Sequence, residues 1–561
     1  MMNYKQSLVS VPVLYFLLTA SLGSPAQAQL ITTRQVSTGD ISPTLYAQVN
    51  NGGPFEPPAG VVFRNVQLFT PAVDGTTLAF ISSSFEANFF NPVAYFEAGL
   101  FLIDGLTPQL HSDGTTNLNV KPIVHGVTDP GVGAFANGPS SGGAAVGFDF
   151  APNSISLSNG SVSVFTLQNG PGNRYGLYEG TTTTVTTAPV PSVEVIADQN
   201  HTVLAGAEVA VAGTSANGHH DSFSFARDGD RTVAAVLLTN DRWVLTSYEN
   251  GVRENLLISG GGAEAIDLPD GPFLNTKYVD ADGGQIALIS SDKVYKFDTA
   301  NNASLLVDAG GPLNYLTLDG DDVVVGRGGP TSGGFNPVVT TRGRGGSIRP
   351  DLHFLGAAVG SIAQVQDSAL VDLVDSSTPI PGTAETFAAF GPYSYSEGNL
   401  AFVGSGPSAS GIGGLFVQYL GEVFEVLSIG DTFDGKMVTG VDINRRGLDG
   451  DLLAFVVSFE SIDLPNNDIM YDQSIYTLSL SENFAAAGDF DIDGDVDGAD
   501  FLEWQRIDGT PTGLSEWQTN YGTPPGPLSL LTAVPEPSGT MLLGLSAFGI
   551  LCRSKRQPLE Q

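Results

Sequence analysis

Between about residue 30 and residue 480 the chain alternates short apolar runs with turns rich in glycine and aspartate. The runs NLAFVGS (399–405), GGLFVQYLG (413–421) and EVFEVLSIG (422–430) follow one another with little more than turn residues between them. MVTGVDINRRG (437–447), DLLAFVVS (451–458) and QSIYTLSL (473–480) repeat the arrangement, and Leu400 and Leu453 open the same Leu-Ala-Phe-Val run 53 residues apart. Looser copies lie upstream: TTLAFISS (76–83) before AGLFLIDG (98–105), SVSVFTLQ (161–168) before RYGLYEG (174–180), RTVAAVLLT (231–239) before WVLTSYENG (243–251), and QIALISS (285–291) before DKVYKFD (292–298). Runs of this length, rich in β-branched and aromatic residues and bounded by turn formers, predict strands. The pairs Asp74-Gly75, Asn250-Gly251 and Asp449-Gly450 suit tight hairpins, because their backbones tolerate the positive φ that such turns require.

A unit of roughly 40–55 residues holding four antiparallel strands predicts a propeller blade. The pattern accommodates six or seven blades, with 311–383 the least regular stretch. The last unit, 434–480, shows only three clear strands, whereas LITTRQVST (30–38) is a spare strand at the other end. That strand is expected to pair with the blade holding DLLAFVVS and QSIYTLSL, closing the ring and leaving few exposed sheet edges. Two stacked β-sandwiches are the alternative. The region is similar to uncharacterised bacterial propeller-like repeat proteins. The expected fold class is therefore mainly β: a six- or seven-bladed β-propeller-like domain, followed by a small α-helical calcium-loop module and a C-terminal hydrophobic helix.

Composition narrows the partners. Glycine and proline are abundant, at 69 and 34 residues, which agrees with many short strands joined by turns. The formal net charge of −36 argues against nucleic acid or an anionic membrane as a main partner, since both would be repelled. Cations, basic partners or a solvated extracellular surface suit it. Cys552 is the single cysteine, so neither an intramolecular disulfide nor a thiolate metal site is available. None of the six histidines (His111, His125, His201, His219, His220 and His353) has a metal-ligand partner at helical or hairpin spacing, and neither a Walker loop nor His-Glu-x-x-His occurs. Carboxylate pairs for glycoside chemistry are set by spatial separation, which the sequence leaves open. One stretch runs against the charge balance: Arg327, Arg342, Arg344 and Arg349 fall within 23 glycine-rich residues that contain no Asp or Glu. It reads either as a flexible basic loop that grips the carboxylates or sulfates of an acidic exopolysaccharide, or as a solvated insertion.

The segment GDFDIDGDVDGADFLEW (488–504) has the phase of a calcium-binding loop. Asp489, Asp491 and Asp493 occupy positions 1, 3 and 5, with Gly494 at position 6, where the chain turns sharply. Asp495 at position 7 offers its backbone carbonyl, Asp497 stands at position 9, and Asp500 closes the loop at position 12. Val496 is the apolar plug. With Asp at the last position and the helix FLEWQR (501–506) following, the segment resembles a type I dockerin repeat. A second repeat is degenerate: LSEWQTNYG (514–522) repeats the helix, with Trp517 answering Trp504, but GTPTG (509–513) replaces its calcium loop. The resemblance implies one calcium ion and the option of docking to a cohesin-like module.

Both ends read as targeting signals. Lys5, the apolar VPVLYFLLTA (11–20) and Ala26-Gln27-Ala28 form a secretory signal, with cleavage expected between Ala28 and Gln29. At the other end Val-Pro-Glu-Pro-Ser precedes an apolar run that stops at Arg553, Lys555 and Arg556, positive charge that stays on the cytoplasmic side. This resembles the PEP-CTERM sorting signal of Gram-negative bacteria. The resemblance implies recognition at Pro535, Glu536 and Pro537 by an exosortase-type sorting protease, transient insertion of the C-terminal helix into the inner membrane, and then release or attachment at the cell surface. A dockerin-like segment just before such a tail is similar to the arrangement in exported planctomycete proteins.

The expected organisation is a signal peptide at 1–28, a propeller-like domain at 29–480, a dockerin-like module at 484–524, a linker at 525–533 and the sorting signal at 534–561. The function read from it is that of an exported, non-enzymatic cell-surface or matrix protein with a calcium-stiffened spacer or docking module. An extracellular polysaccharide-active enzyme and a cohesin-linked scaffold component are the alternatives.

Overall fold

The computed structural model describes residues 30–522 with internal gaps, the longest being 41–66, 87–94, 109–119, 126–146, 182–193, 210–222 and 329–358. The expected signal peptide with Ala28 and Gln29, the linker, and the tail with Pro535, Glu536 and Pro537 lie outside the described residues. So do Arg342, Arg344, Arg349, Asp493 and Asp495.

Among the described residues, six sheets of four or more strands are built from strands consecutive in the chain, starting at Gln67, Gly147, Phe223, Thr276, Leu313 and Ala389. A further sheet takes Lys436–Asp449, Leu452–Phe459 and Gln473–Ser479 from the end of the domain and Thr33–Ser37 from its beginning. The innermost strands touch in succession: Gly147–Ser158, Phe223–Asp228, Thr276–Asp282, Leu313–Asp319, Ala389–Ser396, Lys436–Asp449 and Ala72–Asp74, which returns to Gly147–Ser158. This closed succession is a β-propeller, and it replaces the stacked-sandwich alternative.

The second strand of each sheet explains why the apolar runs are continuous rather than alternating. Leu400, Ala401, Phe402 and Val403 are all buried, as are Leu453, Ala454, Phe455 and Val456. A strand packed on both faces by neighbouring sheets has no solvent side to mark with polar residues. Phe80 and Phe101 stack at 5.2 Å in a core shared by the first and closing sheets, where Val36 packs with Ala454 and Ile475.

Closure follows the expected pairing. Thr33–Ser37 runs antiparallel to Gln473–Ser479, with Thr33 opposite Thr477 and Ser37 opposite Ser474. Gln35 donates to Thr477 Oγ1 (2.9 Å) and to the Leu106 carbonyl (2.8 Å), joining the added strand to its own sheet and to the first one.

The inner turns carry a second function. The side chain that ends one inner strand accepts a hydrogen bond from a backbone N–H in the next sheet's inner turn. Ser158 accepts from Gly229 (2.9 Å), Asp282 from Gly320 (2.7 Å) and Ser396 from Gly450 (3.0 Å). Asp228 does the same with Gly284, Asp319 with Glu397, and Asp449 with Gly75. Residues read from sequence as hairpin formers therefore also tie neighbouring sheets together.

Of the four arginines of the basic stretch only Arg327 is described: it ends the strand Asp322–Arg327 and pairs with Asp372 at 3.1 Å within the fifth sheet. Among the described residues, three helices follow the last strand: Leu480–Phe484, Gly498–Ile507 and Pro511–Asn520. Among the described residues no helix is long and apolar enough to cross a membrane.

Candidate functional site

Of the four described aspartates of the acidic loop, three lie together. Carboxylate oxygens of Asp489, Asp491 and Asp500 lie within 4.8 Å of one another. Asp489 and Asp500 are buried and Asp491 is exposed. Two like charges at that separation repel by on the order of 3 kcal/mol at an effective dielectric constant of about 20, so the cluster favours a cation. Asp500 accepts backbone N–H groups from Phe490 (2.6 Å), Asp491 (3.1 Å) and Asp497 (2.6 Å). A carboxylate offers about four acceptor sites, so these bonds fold the loop around Asp500 and leave little room for two-oxygen coordination by it.

Asp497 lies at the start of the helix that follows the loop. Its carboxylate accepts from Ala499 N (2.6 Å) and caps the helix Gly498–Ile507, outside the three-carboxylate cluster. A short acceptor at a helix start satisfies an N–H that has no partner within the helix. Val496 is fully buried, as the plug position requires.

The two helices close over this loop. Trp517 donates its indole N–H to the Asp497 carbonyl (2.6 Å), Gly522 N donates to the Val496 carbonyl (2.7 Å), and Asn520 donates to the Ala487 carbonyl (2.6 Å). Phe501 lies 4.8 Å from Trp517 and 5.4 Å from Trp504, ring to ring. Gly488 has φ +94°, and a Cβ there would meet Trp517 backbone at 2.8 Å, so only glycine fits. The segment GTPTG starts a helix: Thr510 accepts from Gly513 N (3.1 Å) and Pro511 stands in the first turn.

Sequence reading missed the floor of this loop. Phe484 stacks on Phe424 of the sixth sheet at 5.0 Å, five residues before the first ligand position. Tyr419 of the same sheet is buried, and its hydroxyl has no hydrogen-bond partner among the described residues. Burial raises its pKa, and the charges of Asp451 and Asp489 push the same way. Tyr419 sits in GGLFVQYLG with no local signal to set it apart.

The propeller centre was missed as well. Between Ile443 and Leu448 the innermost strand of the closing sheet shifts register. Arg445 and Arg446 both reach from this bulge to the inner strand Thr276–Asp282, and Arg445 also reaches Phe223–Asp228. Arg445 donates to the Val279 carbonyl (2.8 Å) and to the Phe225 carbonyl, while Arg446 pairs with Asp280 (2.7 Å) and donates to the Ala281 carbonyl (2.6 Å). Burial lowers the pKa of Arg445. Burial opposes the charge of Arg446 too, but Asp280 and Asp282 outweigh it and raise its pKa. Tyr278, Tyr315 and Tyr393 line the same region, with ring centroids 5.5 and 5.9 Å apart. Burial pushes the carboxyl of Asp442 up to about 8, against one backbone hydrogen bond from Ile443.

Comparison with known proteins places residues 533–557 in the PEP-CTERM protein-sorting motif. No curated protein matches the chain in sequence. Among solved structures, the β-propeller domain of the Trilobed protease from Pyrococcus furiosus is similar at 7% identity, covering 75% of this chain and 99% of that one, with a TM-score of 0.37. The acylaminoacyl peptidase of Pyrococcus horikoshii aligns at 10% identity over 74% of this chain and 52% of its own, with a TM-score of 0.35. The WD40 domain of SCAP from fission yeast aligns at 8% identity over 75% and 98%, with a TM-score of 0.32. The sorting motif marks an exported protein, directed to the cell surface and handled by an exosortase-type enzyme.

Proposed function

We propose that this protein is a non-enzymatic component of the cell surface or extracellular matrix, in which a calcium ion held by the acidic loop stiffens the passage from propeller to sorting tail. The observation that carries this reading is the gathering of Asp489, Asp491 and Asp500 within 4.8 Å, in a loop roofed by the Trp517 helix, shortly before the tail. Calcium takes oxygen ligands in a flexible arrangement and tolerates carboxylates that also accept N–H bonds, whereas magnesium demands a tighter octahedron. Backbone of the loop and water would complete the shell.

Ordering the loop on binding costs about 2–5 kcal/mol, so an affinity of roughly 10⁻⁵–10⁻³ M is expected, sufficient for an extracellular site. Calorimetry on the full chain, with tryptophan fluorescence in parallel, tests it. One calcium per chain is expected, with both signals lost in Asp489→Ala and Asp500→Ala. Absence of binding at millimolar calcium would remove the reading.

A further inference from the structure

We infer that the bulge at Asn444–Gly447 is a bolt across the axis of the ring: Arg445 and Arg446 tie the closing sheet to the two sheets opposite it, so that opening the seam between the closing and first sheets must also break a tie through the centre.

The places of the contacts carry this. Along the closed succession of inner strands, the sheets of Phe223–Asp228 and Thr276–Asp282 stand three places from the closing sheet, one in each direction, as far from it as the ring allows. Arg445 nevertheless reaches the Phe225 carbonyl in one and the Val279 carbonyl (2.8 Å) in the other. Arg446 reaches Asp280 (2.7 Å) and the Ala281 carbonyl (2.6 Å). Side chains that join opposite sheets pass through the middle, so the axis is occupied at this level.

The far end has a reason to receive them. Asp228 pairs with Arg231, and Asp282 with Gln285, across two-residue turns. Successive residues of a strand turn their backbone groups to opposite edges, so Phe225, Val279 and Ala281, at odd steps from these pairs, aim their carbonyls away from the ladder toward the open inner edge. Such carbonyls have no strand to pair with and need another donor. A guanidinium carries five donors in a fixed fork and can serve several acceptors at once.

The near end is built to reach. Four residues, Asn444 to Gly447, face the single residue Ala454 of the neighbouring strand. Asn444 Oδ1 accepts from Arg446 N (3.0 Å), and Ser394 of the sixth sheet donates to the Arg445 carbonyl (2.9 Å) and accepts from Leu448 N (3.0 Å). A Cβ on Gly447 would meet the Asn444 carbonyl at 2.9 Å and the Ala454 carbonyl at 3.0 Å, so the turn is tight on both flanks. The sheet held in this way is the one from which the chain runs on toward the sorting motif at residues 533–557, so a pull on that end loads it first.

Hydrogen exchange of the full chain, read by mass spectrometry at the seam strands Thr33–Ser37 and Gln473–Ser479, tests the bolt. Opening the ring parts these strands, so their exchange reports how often it opens. Arg445→Met removes the donors and keeps an unbranched stem; exchange at the seam should rise about tenfold, the loss of bonds made by a charged group. Arg445→Lys keeps the charge with fewer donors and should fall between, and it carries the comparison if Arg445→Met does not fold. Arg327→Met, which breaks a pair within the fifth sheet, should leave the seam at wild-type rates. Faster exchange confined to the strands that Arg445 touches, with the seam unchanged in both Arg445 variants, would overturn the inference. An equal rise at the seam in Arg327→Met would overturn it too, since any destabilised sheet would then open the ring.

Discussion

The carboxylate of Asp449 accepts a hydrogen bond from the backbone N–H of Gly75, joining the inner turn of the closing sheet to that of the first across 374 residues. The ring is thus closed twice, once on the outside by Thr33–Ser37 and once at the centre by this pair. Deleting residues 30–38 should expose the edge of Gln473–Ser479 and drive self-association, read by light scattering. Asp449→Ala should leave the chain monomeric and cost about 1–3 kcal/mol in urea unfolding, the loss of a bond to a charged acceptor. A monomeric deletion variant with unchanged thermal stability would show that the outer strand is dispensable.

Arg446→Ala should be among the most damaging single changes. It leaves Asp280, which is fully buried, without its 2.7 Å partner, and breaking a buried pair in this way costs about 3–5 kcal/mol. Replacing both residues by apolar ones of similar volume should cost less than Arg446→Ala alone. Denaturant midpoints of the three proteins check this.

Asp442 sets a pH dependence. Its folded pKa is raised to about 8 by burial, so the native state holds a proton that the unfolded chain releases near the usual carboxylate range of about 4. Its contribution to stability is complete below that range and is lost as pH rises through about 8. Asp442→Asn should therefore gain on the wild type steadily from pH 5 to pH 8.5 in unfolding temperature. A difference that stays constant over this window would show that Asp442 is already ionised in the folded protein.

Gly488→Ala tests how tightly the helices close on the acidic loop. At φ +94° and 2.8 Å from Trp517 backbone, the added methyl must push the helix Pro511–Asn520 away. A cost of roughly 1–3 kcal/mol is expected for the backbone conformation alone. Tryptophan emission should shift to the red, with the propeller's own unfolding unchanged.

Processing is checked by mass. Protein recovered from the cell surface should lack residues 1–28 and the tail beyond Pro537, as the Ala26-Gln27-Ala28 site and the Pro-Glu-Pro signal require. A surface species that retains Arg553–Arg556 would contradict sorting at that motif.

The strands, the spare strand at residues 30–38 and the phase of the acidic loop were legible in the sequence, because each depends on neighbours close along the chain. A buried second strand needs an unbroken apolar run such as Leu453 to Val456, and the acidic segment gathers Asp489, Asp491 and Asp500 with Val496 turned inward. Tertiary structure alone decided the rest. Whether Asp449 merely forms a turn or also binds Gly75, whether Arg327 is free or paired with Asp372, and whether Asp497 joins the cluster or caps a helix depend on what the fold brings beside each side chain. Arg445 and Arg446 stand near the end of the run MVTGVDINRRG with no local sign of a partner, and only ring closure turns them toward carbonyls 165 to 220 residues away. Tyr419 is the extreme case. A tyrosine in an apolar strand carries no local mark that its hydroxyl will be buried without a partner among the described residues, since one hydrogen-bonding atom at the end of a buried ring changes neither the period nor the polarity of the run that contains it.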